Sequence, residues 1–176
     1  RIIFFGLLLL FSCNQDEKVT GKETELVFQS EFNTLDLFAI DRDNRIVRHE
    51  HFTQEDLHDN TLQANLPLGR YRVACVANCP DIDFNTGETL ENILLRLPRK
   101  GDTFQEANDT RTALQSVSIS ENKDATFVIR LARRVARLQV TLNDIPEDVD
   151  HLNFELSFVP SAINFTGTNT NTFGTI

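Results

Sequence analysis

Short segments in which apolar and polar residues alternate recur along most of the chain. A period of two residues is typical of strands with one buried face. The segment Asp41–Asn44 separates two such runs, and because Asp and Asn tolerate turn backbone, residues 34–52 are predicted to form a hairpin. The pattern predicts strands over residues 25–30, 34–40, 45–52, 61–66, 70–78, 116–120, 125–142 (two strands with a bend near Arg133–Arg134) and 151–158.

One segment has the spacing of a helix instead. Its apolar residues recur at i, i+3, i+4 and i+7, which places them on one helical face. Thr89 is positioned as an N-cap and Pro98 would stop the helix. We therefore predict one short helix whose apolar face is formed by Leu90, Ile93, Leu94 and Leu97.

Many short strands with turn signals between them and one small helix are typical of a β-sandwich. We predict a mainly β protein whose antiparallel sandwich domain spans residues 24–166. The residues that we expect to be buried in it are Phe38, Val73, Val128, Leu138, Val140, Leu156 and Phe158.

The N-terminal residues combine a basic residue, a short apolar run and a small residue before Cys13. The run is too short to span a bilayer and has the length of a signal-peptide core, although a buried strand is the alternative. Because Leu10–Cys13 resembles a bacterial lipobox, we expect residues 1–12 to be a clipped lipoprotein signal peptide and Cys13 to carry the lipid. The polar residues 13–23 would be a flexible tether.

Charge and composition exclude some classes of partner. The 176 residues carry a net charge of −9, with a sequence pI near 4.9. Nucleic-acid binding requires a basic face, so we expect no nucleic-acid partner. Besides Cys13 there are only Cys75 and Cys79, which are too few for a disulfide framework and are interpreted as small buried thiols.

Candidate catalytic and metal-binding residues are few. His49 and His51 would share one face of a strand, but His58 and His151 are far away in sequence and supply no third ligand at useful spacing. We interpret the pair as solvated strand histidines. No phosphate-binding loop is present, so we expect neither a cofactor nor an enzyme.

Four segments together carry a family resemblance. They are Leu35–Asp41, Leu68–Asn78, Leu131–Val140 and Phe158–Gly167. Their order, together with the lipobox, resembles the fimbrillin-associated anchor proteins of Bacteroidetes, the FimB/Mfa2 type, over roughly residues 13–167. The resemblance implies transthyretin-like β-sandwich domains and a lipidated, palmitate-bearing protein of the outer membrane that holds the base of a fimbria. Residues 167–176 would then be a linker or the start of a second domain.

The resemblance also bears on Arg133–Arg134, because related shaft subunits are cleaved after an arginine. The alternative is that both arginines are outward residues of a paired strand.

These observations predict a structural protein of the cell surface that binds fimbrial subunits. The expected mechanism is β-strand addition, in which a partner segment pairs with an open sheet edge. We expect that edge to be the first strand, with Leu26, Val27 and Phe28 as partner-binding residues. The alternative is a surface glycan-binding module, which is disfavoured because the chain has no Trp and one Tyr to form aromatic platforms.

Overall fold

The structure is a computed structural model that describes residues 21–101, 103–136, 139–146, 148–153, 159–169 and 173–174. The predicted signal peptide and Cys13 lie outside these residues, as do Leu138, Leu156 and Phe158. The described strands are β1 (Gly21–Phe28), β2 (Thr34–Ile40), β3 (Ile46–Thr53), β4 (Thr61–Pro67), β5 (Gly69–Ala77), β6 (Ile82–Asp83), β7 (Leu94–Arg96), β8 (Arg99–Lys100), β9 (Thr103–Phe104), β10 (Arg111–Ile119), β11 (Thr126–Ile129), β12 (Ala132–Arg133), β13 (Val159–Pro160), β14 (Ala162–Asn164) and β15 (Phe173–Gly174). Short 3-10 helices span Gln54–Asp56 and Leu90–Asn92.

Two sheets pack face to face and form the sandwich that the sequence predicts. One sheet has the strand order β11-β1-β4 and the other the order β12-β10-β5-β2-β3. Neighbouring strands are antiparallel except β1 and β11, which are parallel. The apolar residues buried between the two sheets come from both of them and include Leu26, Leu62, Ile129, Leu37, Val73 and Val117.

A second apolar cluster covers the opposite face of the five-stranded sheet. Phe38, Ile40 and Val76 lie on that face, and Leu90, Ile93, Leu95 and Phe165 pack over them. β2 is therefore buried on both faces, with Leu35 and Leu37 in one cluster and Phe38 and Ile40 in the other. The burial predicted for Phe38 and Val73 is confirmed.

The predicted hairpin over residues 34–52 is confirmed. β2 and β3 are antiparallel, with Asp36 opposite His51 and Phe38 opposite His49. The connecting turn is held by Asp41, whose Oδ1 accepts hydrogen bonds from the backbone N–H groups of Asp43 and Arg45 at 2.9 and 2.8 Å. Asn44 has a φ of 66°, a backbone conformation that Asn adopts more readily than most residues.

The predicted helix at residues 90–97 is wrong in length and type. Only Leu90–Asn92 forms a helical turn, with Thr89 at the N-cap position, and Leu94–Arg96 is β7. β7 pairs with β6 on one side and with β14 on the other. Leu95 of β7 is buried, and pairing with these two strands overrides the local helical spacing.

Two predicted core residues are exposed. Val128 is 49% exposed because Phe127 and Ile129 are the inward residues of β11, and a shift of one residue reverses the face of a strand. Val140 is 55% exposed, and residues 139–142 form no strand, so the alternation there does not place it on a sheet. The described residues 151–153 also form no strand.

Strand pairing extends beyond residues 24–166 at both ends. β1 begins at Gly21, so the last three residues of the predicted tether are paired with β4. Phe173–Gly174, which lies in the segment predicted to be a linker or the start of a second domain, pairs with β13. Among the described residues, no helix is long and apolar enough to cross a bilayer.

Candidate strand-docking edge

β1, which the sequence predicts to be an open edge, is the central strand of its sheet. Over residues 25–27 it pairs with β11 on one side and with β4 on the other. Leu26 and Phe28 are buried and Val27 is half-buried. The open-edge prediction for these three residues is therefore wrong, because a partner could pair with them only after displacing a neighbouring strand.

The outer edge of β3 is closed at one end and charged along the rest. The N–H of Ile46 donates to the carbonyl of Glu88, and the N–H of Gly87 donates to the carbonyl of Ile46, both at 2.8 Å. Farther along β3, Arg48 and Glu50 form an ion pair. Charged side chains on an edge strand disfavour pairing with another chain, so this edge is protected.

His49 and His51 bind a carboxylate that sequence reasoning did not connect to them. Asp36 is 7% exposed, and its Oδ1 lies 2.8 Å from His49 Nε2 and 3.0 Å from His51 Nδ1. The His49 ring also stacks on Phe38, with centroids 4.7 Å apart. Within the described residues, no group of three His, Cys, Asp or Glu side chains is arranged to hold a metal ion. These contacts hold β3 against β2. The register of the hairpin, which places Asp36 opposite His51, is the signal from which they could have been predicted.

The two edges of the three-stranded sheet offer little space for a partner strand. Thr61 of β4 exchanges backbone hydrogen bonds with His58, at 2.9 and 2.8 Å, and Pro67 at the other end has no N–H. The outward backbone groups that remain on β4 belong to Gln63 and Asn65. β11 is only four residues long.

β10 is the edge with the longest open stretch among the described residues. It pairs with β5 over all nine of its residues, but with β12 only at Arg111 and Thr112. The N–H of Arg134 donates to the carbonyl of Thr110 at 2.8 Å, so residue 110 points away from β5. Because direction alternates along an antiparallel strand, the backbone groups of Leu114, Ser116 and Ser118 also point outward.

The sequence of this edge has none of the residue types that usually prevent pairing with another strand. Residues 112–120 read TALQSVSIS, without a charge, a proline or a glycine. Leu114 is 45% exposed, and Gln115 donates a long hydrogen bond of 3.4 Å to the carbonyl of Ser116. A long, uncharged and regular edge is a template for another strand. This lack of charge is visible in the sequence, but the sequence does not show that the described strands leave one side of residues 113–119 without a neighbour.

A groove runs beside the second half of this edge. Its lining includes Ser116 and Ser118 of β10 together with Arg70 and Arg72 of β5, and Phe127 of β11 in the other sheet. Ser116 lies directly opposite Arg72 and Ser118 directly opposite Arg70, so these four side chains share one face of the sheet. The groove therefore combines a basic side with an apolar side.

Asp109 holds the closed end of the edge. Its Oδ2 accepts hydrogen bonds from Arg111 Nε at 3.0 Å and from Arg133 Nη2 at 3.1 Å. These hydrogen bonds, first from Arg111 and then from Arg133, lower the pKa of Asp109 below its ordinary value. Arg134 Nε donates to Thr112 Oγ1 at 2.5 Å. Arg133 and Arg134 thus take part in holding β12 against β10, as expected for residues of a paired strand.

The two described cysteines are buried thiols, as the sequence predicts. Burial raises the pKa of Cys75 to about 12 and also raises the pKa of Cys79. Both thiols are therefore protonated at neutral pH, and a protonated thiol is a poor nucleophile.

The fold defines a structural class: a mainly β protein whose core lies between two packed sheets. The family model for fimbrillin-A associated anchor proteins Mfa1 and Mfa2 matches residues 6–176, which is nearly the whole chain. The chain therefore belongs to this family, and the family resemblance seen in the sequence is confirmed. The family is structural and associated with the cell surface and with fimbriae. None of the curated proteins matches the chain.

Solved structures with the same fold come from Bacteroides and Parabacteroides species. A fimbrial assembly protein from Parabacteroides distasonis is 13% identical, with a TM-score of 0.57, and the match covers 89% of this chain and 72% of that one. A candidate adhesin from Bacteroides thetaiotaomicron is 12% identical, with a TM-score of 0.66 and coverages of 86% and 60%. Candidate polysaccharide-binding proteins from Bacteroides thetaiotaomicron are 16% identical, with a TM-score of 0.55 and coverages of 63% and 47%. The chain thus spans about half the length of the candidate polysaccharide-binding proteins.

Proposed function

We propose that this protein is a lipid-anchored subunit of the outer membrane that holds a fimbria by accepting a strand from a fimbrial subunit. The observation that carries the mechanism is the uncharged stretch Ala113–Ile119 of β10, which pairs with β5 on one side and with no strand of the described residues on the other. An added strand would be about 24 Å long, at roughly 3.4 Å per residue. Leu114, Ser116 and Ser118 would supply its backbone hydrogen bonds.

The position of the edge supports insertion rather than loose contact. A turn closed by the pairing of Ser120 with Lys123 leads from β10 to β11, so the chain changes sheets here. Val117 and Ile119 on β10 are buried in the cluster between the sheets, and Phe127 packs against it. Alternate side chains of a strand added at β10 would therefore extend this apolar cluster.

Proline scanning tests the edge directly. Ser116→Pro removes an N–H that points away from β5, so it blocks an added strand while leaving the β5 pairing in place. Gln63→Pro is the matched control, because the N–H of Gln63 points outward from the other exposed edge. We expect cells with Ser116→Pro to lose attached fimbriae and cells with Gln63→Pro to keep them, with both proteins folded by circular dichroism. Fimbriae that stay attached in the Ser116→Pro cells would contradict the proposal.

The lipid anchor on Cys13 is part of the same proposal and has its own test. Cys13 follows a signal-like apolar run and precedes a polar segment. Cys13→Ala should move the protein from the outer-membrane fraction to the soluble fraction, whereas Asn14→Ala should not. An unmodified Cys13 in the mass spectrum of the membrane-bound protein would overturn this part alone.

Glycan capture, the alternative, gains no support from the described surface. Glycan sites use exposed aromatic rings. The large hydrophobic residues exposed among the described residues are all aliphatic, for example Val47, Leu68 and Leu114. The hydroxyl of the one Tyr is already bonded within the chain.

A further inference from the structure

We infer that the β10 edge selects a partner segment in which apolar residues alternate with acidic residues. This inference rests on the proposed function and specifies the chemistry of the strand that the edge accepts. It comes from the two different environments on the two faces of the five-stranded sheet beside β10.

One face of the edge favours apolar side chains. Val117 and Ile119 point into the cluster between the sheets and are 4% and 3% exposed, and Phe127 packs against the same cluster. The side chains of an added strand that share this face would lie about 5 Å from those of β10. Burying apolar groups there removes them from water and stabilises the complex.

The opposite face is basic. Ser116 and Ser118 are the small residues of β10 on this face, and Arg72 and Arg70 lie directly behind them on β5. Because serine side chains are short, they leave the longer arginine side chains accessible from the edge. Arg42 lines the same groove, and Asp41 is the one acidic residue that the described part of the chain contributes to its lining.

The cations of this groove are only partly neutralised. Among the ion pairs of the described residues, none includes Arg42, Arg70 or Arg72. Arg72 donates to Asn44 Oδ1, and Asn44 in turn donates to Glu91 at 2.5 Å, so part of the Arg72 charge is compensated. Arg70 is exposed and takes part in none of these ion pairs, and it lies on a protein whose net charge is −9.

A basic groove on an acidic protein gives selectivity. Acidic side chains of an incoming strand would meet Arg70, while the rest of the protein would repel an acidic segment bound in another place. Lysines at the same positions would meet like charge, which is unfavourable. The binding partner is therefore an extended protein segment with apolar residues on one side and Asp or Glu on the other.

The test uses the full chain and two synthetic peptides of equal length, in which Val alternates with Glu or with Lys. Affinities are measured by fluorescence anisotropy at low and at high salt. We expect the Glu peptide to bind about tenfold more tightly at low salt, which corresponds to about 1.4 kcal/mol, and the preference to shrink as salt is added. Arg70→Glu should remove the preference, and Lys100→Glu, which makes the same charge change on β8, should keep it.

Two further results separate this inference from the proposed function. Equal affinities for the two peptides, or a preference that survives Arg70→Glu, would overturn the charge selectivity while strand addition at β10 stands. Ser116→Pro should abolish the binding of both peptides. If neither peptide binds the wild-type chain, or both bind Ser116→Pro as they bind the wild type, docking at the β10 edge is wrong and the selectivity fails with it.

Discussion

The hydroxyl of Tyr71 donates a hydrogen bond of 2.7 Å to the carbonyl oxygen of Pro67. The bond spans the corner at which the chain leaves β4 in one sheet and enters β5 in the other. Partial burial raises the pKa of Tyr71, so the hydroxyl stays protonated as a donor throughout the neutral range. We expect Tyr71→Phe to lower the free energy of unfolding by about 1 kcal/mol, measured by urea denaturation. An unchanged midpoint would show that the bond contributes nothing.

Gly69 at the same corner has a backbone conformation that other residues avoid. Its φ is +125°, while an added Cβ would meet no atom within 4 Å. The cost of Gly69→Ala is therefore conformational rather than steric, and we expect about 1–3 kcal/mol of destabilisation. Gly21→Ala is the converse case. There φ is not positive, but the added Cβ would clash with the Asn65 side chain, so any cost would be steric rather than conformational. A Gly69→Ala protein as stable as the wild type would contradict the argument.

Two valines on different strands test the placement of the core. Val73 is fully buried, whereas Val128 is 49% exposed. The same change to Ala should destabilise the protein by about 1–3 kcal/mol at Val73, from lost burial and the cavity left behind, and by less than about 0.5 kcal/mol at Val128. Equal losses in thermal or urea unfolding would mean that the orientation of β11 is wrong.

Asp109 should make the closed end of the β10 edge sensitive to acid. Its pKa is lowered in the folded protein, so its contribution to stability is complete above the pKa of the unfolded chain, near 4. That contribution is lost as the pH falls through the lower folded pKa, because the protonated carboxyl no longer pairs with Arg111 and Arg133. The stability difference between wild type and Asp109→Asn should therefore disappear at low pH. A difference that persists there would assign the effect to another group.

The sequence was sufficient for the hairpin over residues 34–52, because its turn residues and its alternation are both local signals. It failed at residues 90–97, because β7 is extended through pairing with β6 and with β14, and β14 lies far away in the chain. It also failed at the docking edge. Residues 116–120 were recognised as a strand, but whether a strand lies at an edge depends on which neighbours the topology supplies. β1 has two neighbours, and most of β10 has one among the described residues.

The most direct test of docking at the β10 edge is photo-cross-linking from the two exposed edges in living cells. A photoreactive residue placed at Ser116 on β10, or at Gln63 on β4 as the control, would be activated on fimbriated cells, and the cross-linked products would be identified by mass spectrometry. If a fimbrial strand docks at the β10 edge, we expect a covalent adduct with a segment of a fimbrial subunit at position 116 and none at position 63. Adducts only at position 63, or at neither position on cells that bear attached fimbriae, would contradict docking at the β10 edge.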